Sequence, residues 1–129
     1  MSKPVTETVL LASLNSTADR ASAIQVNDGY RGGQFVLNMT TRASTDAGPV
    51  LTVQGVVPGT TGTFYTLLAS TAIGTGSTAD AQVAVLHVAP WVSTAANARA
   101  AFALPHRYRV ITTYSSTTDT TYSVGVTLS

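Results

Sequence analysis

The C-terminal segment, residues 120–128, alternates strictly between large apolar side chains and small or hydroxyl-bearing ones. Tyr122, Val124, Val126 and Leu128 fall on one side of this alternation. A period of two residues is typical of a β-strand with one buried face, and it excludes a helix. We therefore predict a half-buried strand at this end of the chain.

Similar segments recur along the sequence, separated by turn-forming residues such as Asn27-Asp28-Gly29. Strands of this length and spacing, with no long helical pattern, predict an antiparallel β-sandwich of the immunoglobulin-like or jelly-roll kind. Residues 1–129 are too few for two cores and form one predicted domain. The eight predicted strands span residues 5–12, 22–26, 34–42, 50–57, 63–70, 82–89, 106–114 and 120–128.

One stretch departs from the strand pattern. Residues 93–102 are rich in alanine, and Ser93 or Thr94 is placed to cap a helix. This composition predicts one short helix over residues 94–102 across an end of the sandwich, with Pro105 ending the crossover.

The alternation also predicts which side chains form the core. In each strongly alternating strand, the apolar parity should face the opposite sheet. The residues predicted to be buried are Phe35, Leu37, Met39, Leu51, Val53, Tyr108, Val110, Val124 and Val126.

The composition is low in charge and high in hydroxyl groups. Charged residues make up 10% of the chain, against about 25% in an average domain, while Thr and Ser number 22 and 12. Threonine suits strands because its branched side chain packs on a pleated surface. Because the net charge is small, charge repulsion between copies does little to prevent association. Assembly with other subunits is therefore expected. A net charge of +1 gives no reason to expect a nucleic-acid partner.

Two features bear on cellular location, and the absence of cysteine bears on the available chemistry. Glu7 interrupts the apolar run near the N-terminus, which leaves it shorter than a secretion signal requires. No segment approaches the ~20 apolar residues needed to cross a bilayer, so no membrane association is expected. The sequence has no cysteine, which excludes disulfides and thiolate metal sites. We expect a protein made and folded in a cytoplasm.

Residues suited to catalysis are few and scattered. Five of the six acidic residues fall in predicted turns, where Asp commonly stabilises the local backbone. His87 and His106 are the only histidines, and neither belongs to a metal-ligand pair. No nucleophile elbow or phosphate loop is present. The sequence predicts no enzyme, no cofactor and no metal.

Three positions are candidates for binding. Alternation places Arg107 and Arg109 on the strand face opposite Tyr108, either as solvated side chains or as a basic strip that contacts an acidic partner. Trp91 is either a core residue or, if exposed, the best interface anchor or sugar-stacking residue.

The N-terminal segment is a further candidate for an interface. Residues 1–8 are mostly polar, and Pro4 favours an extended backbone. Pro4 and Val5 would then belong to an arm that reaches a neighbouring subunit.

Several segments together carry a resemblance to small virion proteins of tailed bacteriophages. They are Arg31-Gly32, Leu51-Thr52-Val53-Gln54-Gly55, Pro58-Gly59-Thr60-Thr61-Gly62, Thr63-Phe64-Tyr65-Thr66-Leu67-Leu68-Ala69-Ser70, Leu86-His87-Val88-Ala89-Pro90, Leu104-Pro105-His106-Arg107-Tyr108-Arg109-Val110 and Thr121-Tyr122-Ser123-Val124-Gly125. The family pattern often has Asp before the turn proline, where this chain has Val57.

The resemblance implies a capsid decoration (cement) protein on the outside of a phage head. Its implied partners are the major capsid protein and further copies of itself, in a trimer or similar small oligomer. The alternative is a carbohydrate-binding or adhesin module of a phage tail or fibre, which would need exposed aromatic side chains. The candidates for that role are Trp91, Tyr30, Tyr65 and Tyr114.

Overall fold

A computed structural model describes residues 5–16, 18–42, 48–73, 82–114 and 120–129. Within these ranges the chain is all-β, with ten strands and no helix. The strands are β1 (Thr6–Ser16), β2 (Arg20–Ala21), β3 (Gln25–Val26), β4 (Gly33–Arg42), β5 (Val50–Val56), β6 (Phe64–Ala69), β7 (Gln82–Val88), β8 (Arg99–Ala100), β9 (Arg107–Thr113) and β10 (Thr120–Leu128).

These strands form a β-sandwich of two five-stranded sheets. Sheet A has the order β1-β10-β4-β7-β8, and all its pairs are antiparallel except β7 with β8. Sheet B has the order β2-β9-β5-β6, and β3 pairs with β9 beside β2. The prediction of an all-β sandwich is confirmed.

The core lies between the sheets and is built from the alternating positions of the long strands. All nine side chains predicted to be buried are at most 3% exposed. Phe35 of β4 meets Tyr108 of β9 edge to face, with ring centroids 5.8 Å apart. Burial raises the pKa of the Tyr108 phenol, so the neutral form is favoured within the sandwich.

Hydroxyl groups inside the sandwich are paired with one another. The Tyr122 and Thr112 hydroxyl oxygens are 2.7 Å apart, as are those of Tyr114 and Thr120. Because a buried hydroxyl without a partner costs free energy, these pairs let part of the threonine content enter the core.

The predicted strand boundaries need two changes. β1 continues to Ser16, beyond the predicted end at residue 12. Of the predicted strand over residues 22–26, only Gln25–Val26 (β3) is a strand, and β2 (Arg20–Ala21) precedes the predicted range; between them Ser22 bonds to Val110 of β9 through its backbone N–H and its side chain.

The predicted helix over residues 94–102 is wrong. Residues 95–99 form a tight turn, in which the N–H of Ala95 donates to the carbonyl of Arg99 at 3.0 Å. Asn97 has a left-handed backbone conformation, with φ of 60°. The turn directs β8 along the outer edge of β7, where the N–H of His87 donates to the carbonyl of Ala98 at 2.9 Å. A helix of this length gains little from alanine alone, whereas the strand satisfies the edge of sheet A.

One substitution in this turn should have opposite effects on stability in the observed turn and in the predicted helix. Asn97→Ala should destabilise the protein by about 1–2 kcal/mol, because alanine is strained at positive φ and the hydrogen bond that Asn97 Nδ2 donates to the Ala69 carbonyl (3.0 Å) is lost. In a helix the same change would stabilise. Denaturant unfolding measures the difference, and Asn97→Gly, which tolerates this φ, should cost less.

The N-terminal segment is partly inside sheet A. Thr6 pairs with Leu128 and Thr8 with Val126 of the same chain. Val5 precedes this pairing and is 64% exposed. Pro4 lies outside the described residues, so the predicted arm stays a prediction for the residues before β1.

Candidate functional site

The outer face of sheet A carries a group of exposed valines. The register places Val9, Gly125, Val36 and Val85 side by side across four neighbouring strands. Val83 lies two residues before Val85 on β7, and the two are 57% and 42% exposed. We call Val9, Val36, Val83 and Val85 the apolar face.

A shallow depression lies within this face, where Gly125 has no side chain between Val9 and Val36. Its volume is about 460 Å³, and Glu7, Gln34 and Thr127 form its polar border. A side chain of a partner can enter here, contact the valines and bring a donor group to the carboxylate of Glu7. The geometry therefore suits an apolar contact with a polar rim, as in many protein interfaces.

Trp91 lies beyond the end of β7 and is 57% exposed. Its indole ring covers Gly32, where an added Cβ would lie 2.9 Å from the ring. The ring also meets His87 edge to face, with centroids 6.5 Å apart. Trp91 is therefore not a core residue, and its packing on Gly32 and His87 holds it beside the outer face of sheet A.

The two predicted interface arginines lie on the outer face of sheet B, and both are partly buried. Arg109 is already engaged within the chain: its Cζ lies 3.5 Å from the centroid of Phe64, and its Nε donates to Gln54 Oε1 at 2.9 Å. Arg107 borders a depression of about 250 Å³ at one end of this sheet, together with Val56, Pro58, Gly59, Pro105 and His106.

The structure separates the predicted site residues into two groups. Trp91 follows β7 and lies beside sheet A, whereas Arg107 and Arg109 lie on β9 of sheet B. A flat partner surface can contact one side or the other. On the sheet A side, Trp91, Val9 and Val83 are each more than half exposed, whereas both arginines are partly buried.

The aromatic side chains proposed for sugar binding are also dispersed. Tyr114 is buried, with 6% exposed, and Tyr30 is half-buried near the start of β1. Tyr65 is 40% exposed but lies over Gly55 on sheet B. Only Trp91 and Tyr65 are therefore exposed among the four, and they belong to different sheets.

The apolar face was not predicted from the sequence, although the sequence of β7 contains a signal for it. After Gln82, every residue of β7 is apolar except His87. These apolar residues are Val83, Ala84, Val85, Leu86 and Val88. Such a run makes both faces of a strand apolar, whereas a strand with one solvated face alternates. The run therefore indicates that the outer face of β7 is also apolar and is suited to contact with another surface.

The described ranges hold no group of three or more His, Asp or Glu side chains placed to bind a metal ion. In the same ranges there is no helix long and apolar enough to span a membrane.

Comparison with known proteins gives no relative. No family model matches the chain, and no curated protein or solved structure matches it.

Proposed function

We propose that the protein is a structural component of a bacteriophage particle that binds the outside of the capsid and stabilises the shell. The observation that carries the proposal is the apolar face on sheet A, with Trp91 beside it. The phage assignment comes from the resemblance of its strand and turn segments to small virion proteins.

The apolar face is a surface suited to adhesion. Contiguous exposed apolar side chains on a small domain usually mark an interaction site. Strands hold these side chains in a fixed arrangement, so binding orders few groups that were free before. On a capsid lattice, an oligomer would contact several identical sites at once, so each single contact would need only a modest affinity.

The major capsid protein is the partner we propose for this face. The partner segment should present apolar side chains, with a donor group facing Glu7 at the border of the depression. Arg107 and Arg109, on the opposite sheet, would then face away from the shell or toward a neighbouring subunit.

The test is binding to phage shells assembled without this protein. Val83→Asp with Val85→Asp should lower the affinity by at least about tenfold, because two carboxylates would lose hydration in the contact. Occupancy is measured by sedimentation of shells with increasing amounts of protein. Circular dichroism checks that the variant is folded, as expected for changes at exposed positions.

A matched variant on the other face separates this contact from net charge. Thr66→Asp with Thr113→Asp adds the same charge at exposed positions of sheet B and should leave occupancy unchanged. Arg107→Ser with Arg109→Ser tests the predicted basic strip. If this arginine pair abolishes binding and the valine pair does not, the docking face is wrong. If the unchanged protein does not bind shells, the decoration function is wrong.

A carbohydrate-binding function is the second candidate, because Trp91 presents an exposed indole next to His87. Sugars stack on such rings. A glycan array with the unchanged protein and Trp91→Ala tests it: specific binding that the substitution removes would favour this function over decoration.

A further inference from the structure

β1 is a long strand at the edge of sheet A. It has eleven residues, and β10 is its one partner strand among the described residues. Seven of the eleven side chains are exposed, including Val9 at 70%. An exposed edge of this kind offers unpaired backbone groups to another strand, and most proteins protect it.

The strands at the other edges of the sandwich are shorter than β1, and the longest of them, β6, has six residues. β8, at the opposite edge of sheet A, has two residues, as do β2 and β3 at one edge of sheet B. At the other edge of sheet B, the Ala69 carbonyl of β6 accepts a hydrogen bond from Asn97 Nδ2. Thr6–Ser16 contains one charged residue, Glu7, and no Lys or Pro, and the two register shifts of β1 follow Val9, so its first residues form a regular strand without a bulge.

The backbone direction within β1 shows which groups face outward. The Thr8 carbonyl oxygen lies 3.3 Å from the position of a Cβ on Gly125, so this carbonyl points toward β10. Backbone groups of successive strand residues point to opposite sides. The N–H and C=O groups of Glu7 and Val9 therefore point away from β10, toward the open edge.

The open part of the edge is its first half. Further along, the Ala12 carbonyl accepts a hydrogen bond of 2.7 Å from Arg20 Nη2, and the Arg20 side chain also reaches the Tyr122 carbonyl. The segment left for a partner strand is residues 5–10.

We propose that this segment pairs with the same segment of a second copy, antiparallel and about a twofold axis. An extended backbone is the partner that the open edge requires, and a second copy supplies one with the same exposed valines. Twofold dimers are also the commonest protein assembly. The pair joins the two A sheets into one continuous ten-stranded sheet.

Charge and backbone direction select the register. A twofold axis at Glu7 would place two carboxylates directly opposite each other, which destabilises a strand pair. An axis at Thr8 places Glu7 opposite Val9 of the other copy, and both residues have outward-facing backbone groups. We assign this register, in which each Glu7 and Val9 pair exchanges two hydrogen bonds.

The pairing is independent of capsid binding and differs from the trimer expected from the sequence. Sedimentation equilibrium of the purified protein measures it without any shell. The measured mass of the unchanged protein should reach that of two 13.3 kDa chains as its concentration is raised to about 100 μM. A single-chain mass throughout this range, or a trimer, would overturn the proposal.

Two substitutions locate the interface. Val9→Pro removes an N–H that faces the open edge, a position where an edge strand tolerates proline. Val9→Glu places a carboxylate directly opposite Glu7 of the other copy, and like charges in this position destabilise a strand pair. Both variants should become monomeric while retaining the far-UV circular dichroism of the unchanged protein. The glutamate variant decides the result if the proline variant does not fold.

Val83→Glu is the control, because it adds the same charge to the apolar face away from β1. It should remain dimeric. If Val9→Glu stays dimeric, or Val83→Glu dissociates the dimer instead, the edge pairing is wrong. Amide exchange gives a direct measurement of the contact: the amides of residues 7 and 9 should exchange more slowly in the dimer than in the Val9→Glu monomer.

Discussion

Val124→Asp is expected to lower the free energy of unfolding by about 4 kcal/mol or more, the largest effect of any change described for this protein. Val124 is fully buried on β10, which lies between β1 and β4 in sheet A. It pairs with Leu11 of β1 on one side and with Leu37 of β4 on the other. A carboxylate there loses its hydration and has apolar neighbours. Since a domain is stable by about 5–15 kcal/mol, this change removes a large part of the total stability and should lower the melting temperature strongly.

Ser123→Asp is the matched control for this prediction. Ser123 precedes Val124 on the same strand but points to the outer face, where it lies opposite Asn38. The control should change stability by about 0.5 kcal/mol at most. Thermal unfolding of both variants measures the difference. Equal melting temperatures for the two would contradict the assignment of inner and outer faces.

The inner faces of the strands could be predicted because alternation is a local property of the sequence. Phe35, Leu37 and Met39 are separated by one residue each, so any strand that contains them buries all three together. The hydrophobic effect then fixes which side faces the other sheet. The same argument holds for Val124 and Val126 on β10.

The structure of residues 93–102 could not be predicted in this way. Alanine favours a helix locally, but the backbone of β7 offers an unsatisfied edge that no local pattern records. β8 satisfies it, and Asn97 supplies the left-handed turn that this path requires. Here a long-range requirement for backbone hydrogen bonds decides the structure against helix propensity.

The candidate binding surface was predictable only in part. The sequence predicts that Trp91 is an interface anchor if it is exposed. The position of its ring, however, depends on packing against Gly32, which is distant in sequence. The apolar face depends on the register between β10, β4 and β7, which aligns valines from separate segments. The sequence could show that β7 is apolar on both sides, but not which strands would lie beside it.

Asn27 shows the same limit, because its role extends beyond the turn that Asn27-Asp28-Gly29 predicts. The side chain is buried, and its Oδ1 accepts a hydrogen bond from the Tyr30 N–H at 2.8 Å. Its Nδ2 donates to the carbonyl of Tyr30 at 2.6 Å and contacts those of Leu104 and Pro105 at 3.3 Å each. One amide therefore joins the segment before β4 to the segment before β9.

Asn27→Asp is expected to destabilise the protein by about 3 kcal/mol at pH 7, the second largest effect. The change keeps the shape of the side chain but replaces the donor with a carboxylate oxygen that faces three carbonyl oxygens. Asn38→Asp is the matched control, because it makes the same replacement at an exposed position of β4. The control should stay within about 0.5 kcal/mol of the unchanged protein.

The effect of Asn27→Asp should also depend on pH. Burial and the surrounding carbonyl oxygens disfavour the charged form, so the pKa of the introduced carboxyl group is raised in the folded state. A raised folded-state pKa means that the neutral group contributes stability at low pH, which is lost as the pH rises through that pKa. The deficit relative to the unchanged protein should therefore shrink as the pH falls toward about 4. Urea unfolding at pH 7 and pH 4 measures this deficit in stability. A deficit that stays constant or grows at low pH would contradict the prediction. It would show that the introduced carboxylate is solvated and that the Asn27 amide is not required to join the two segments.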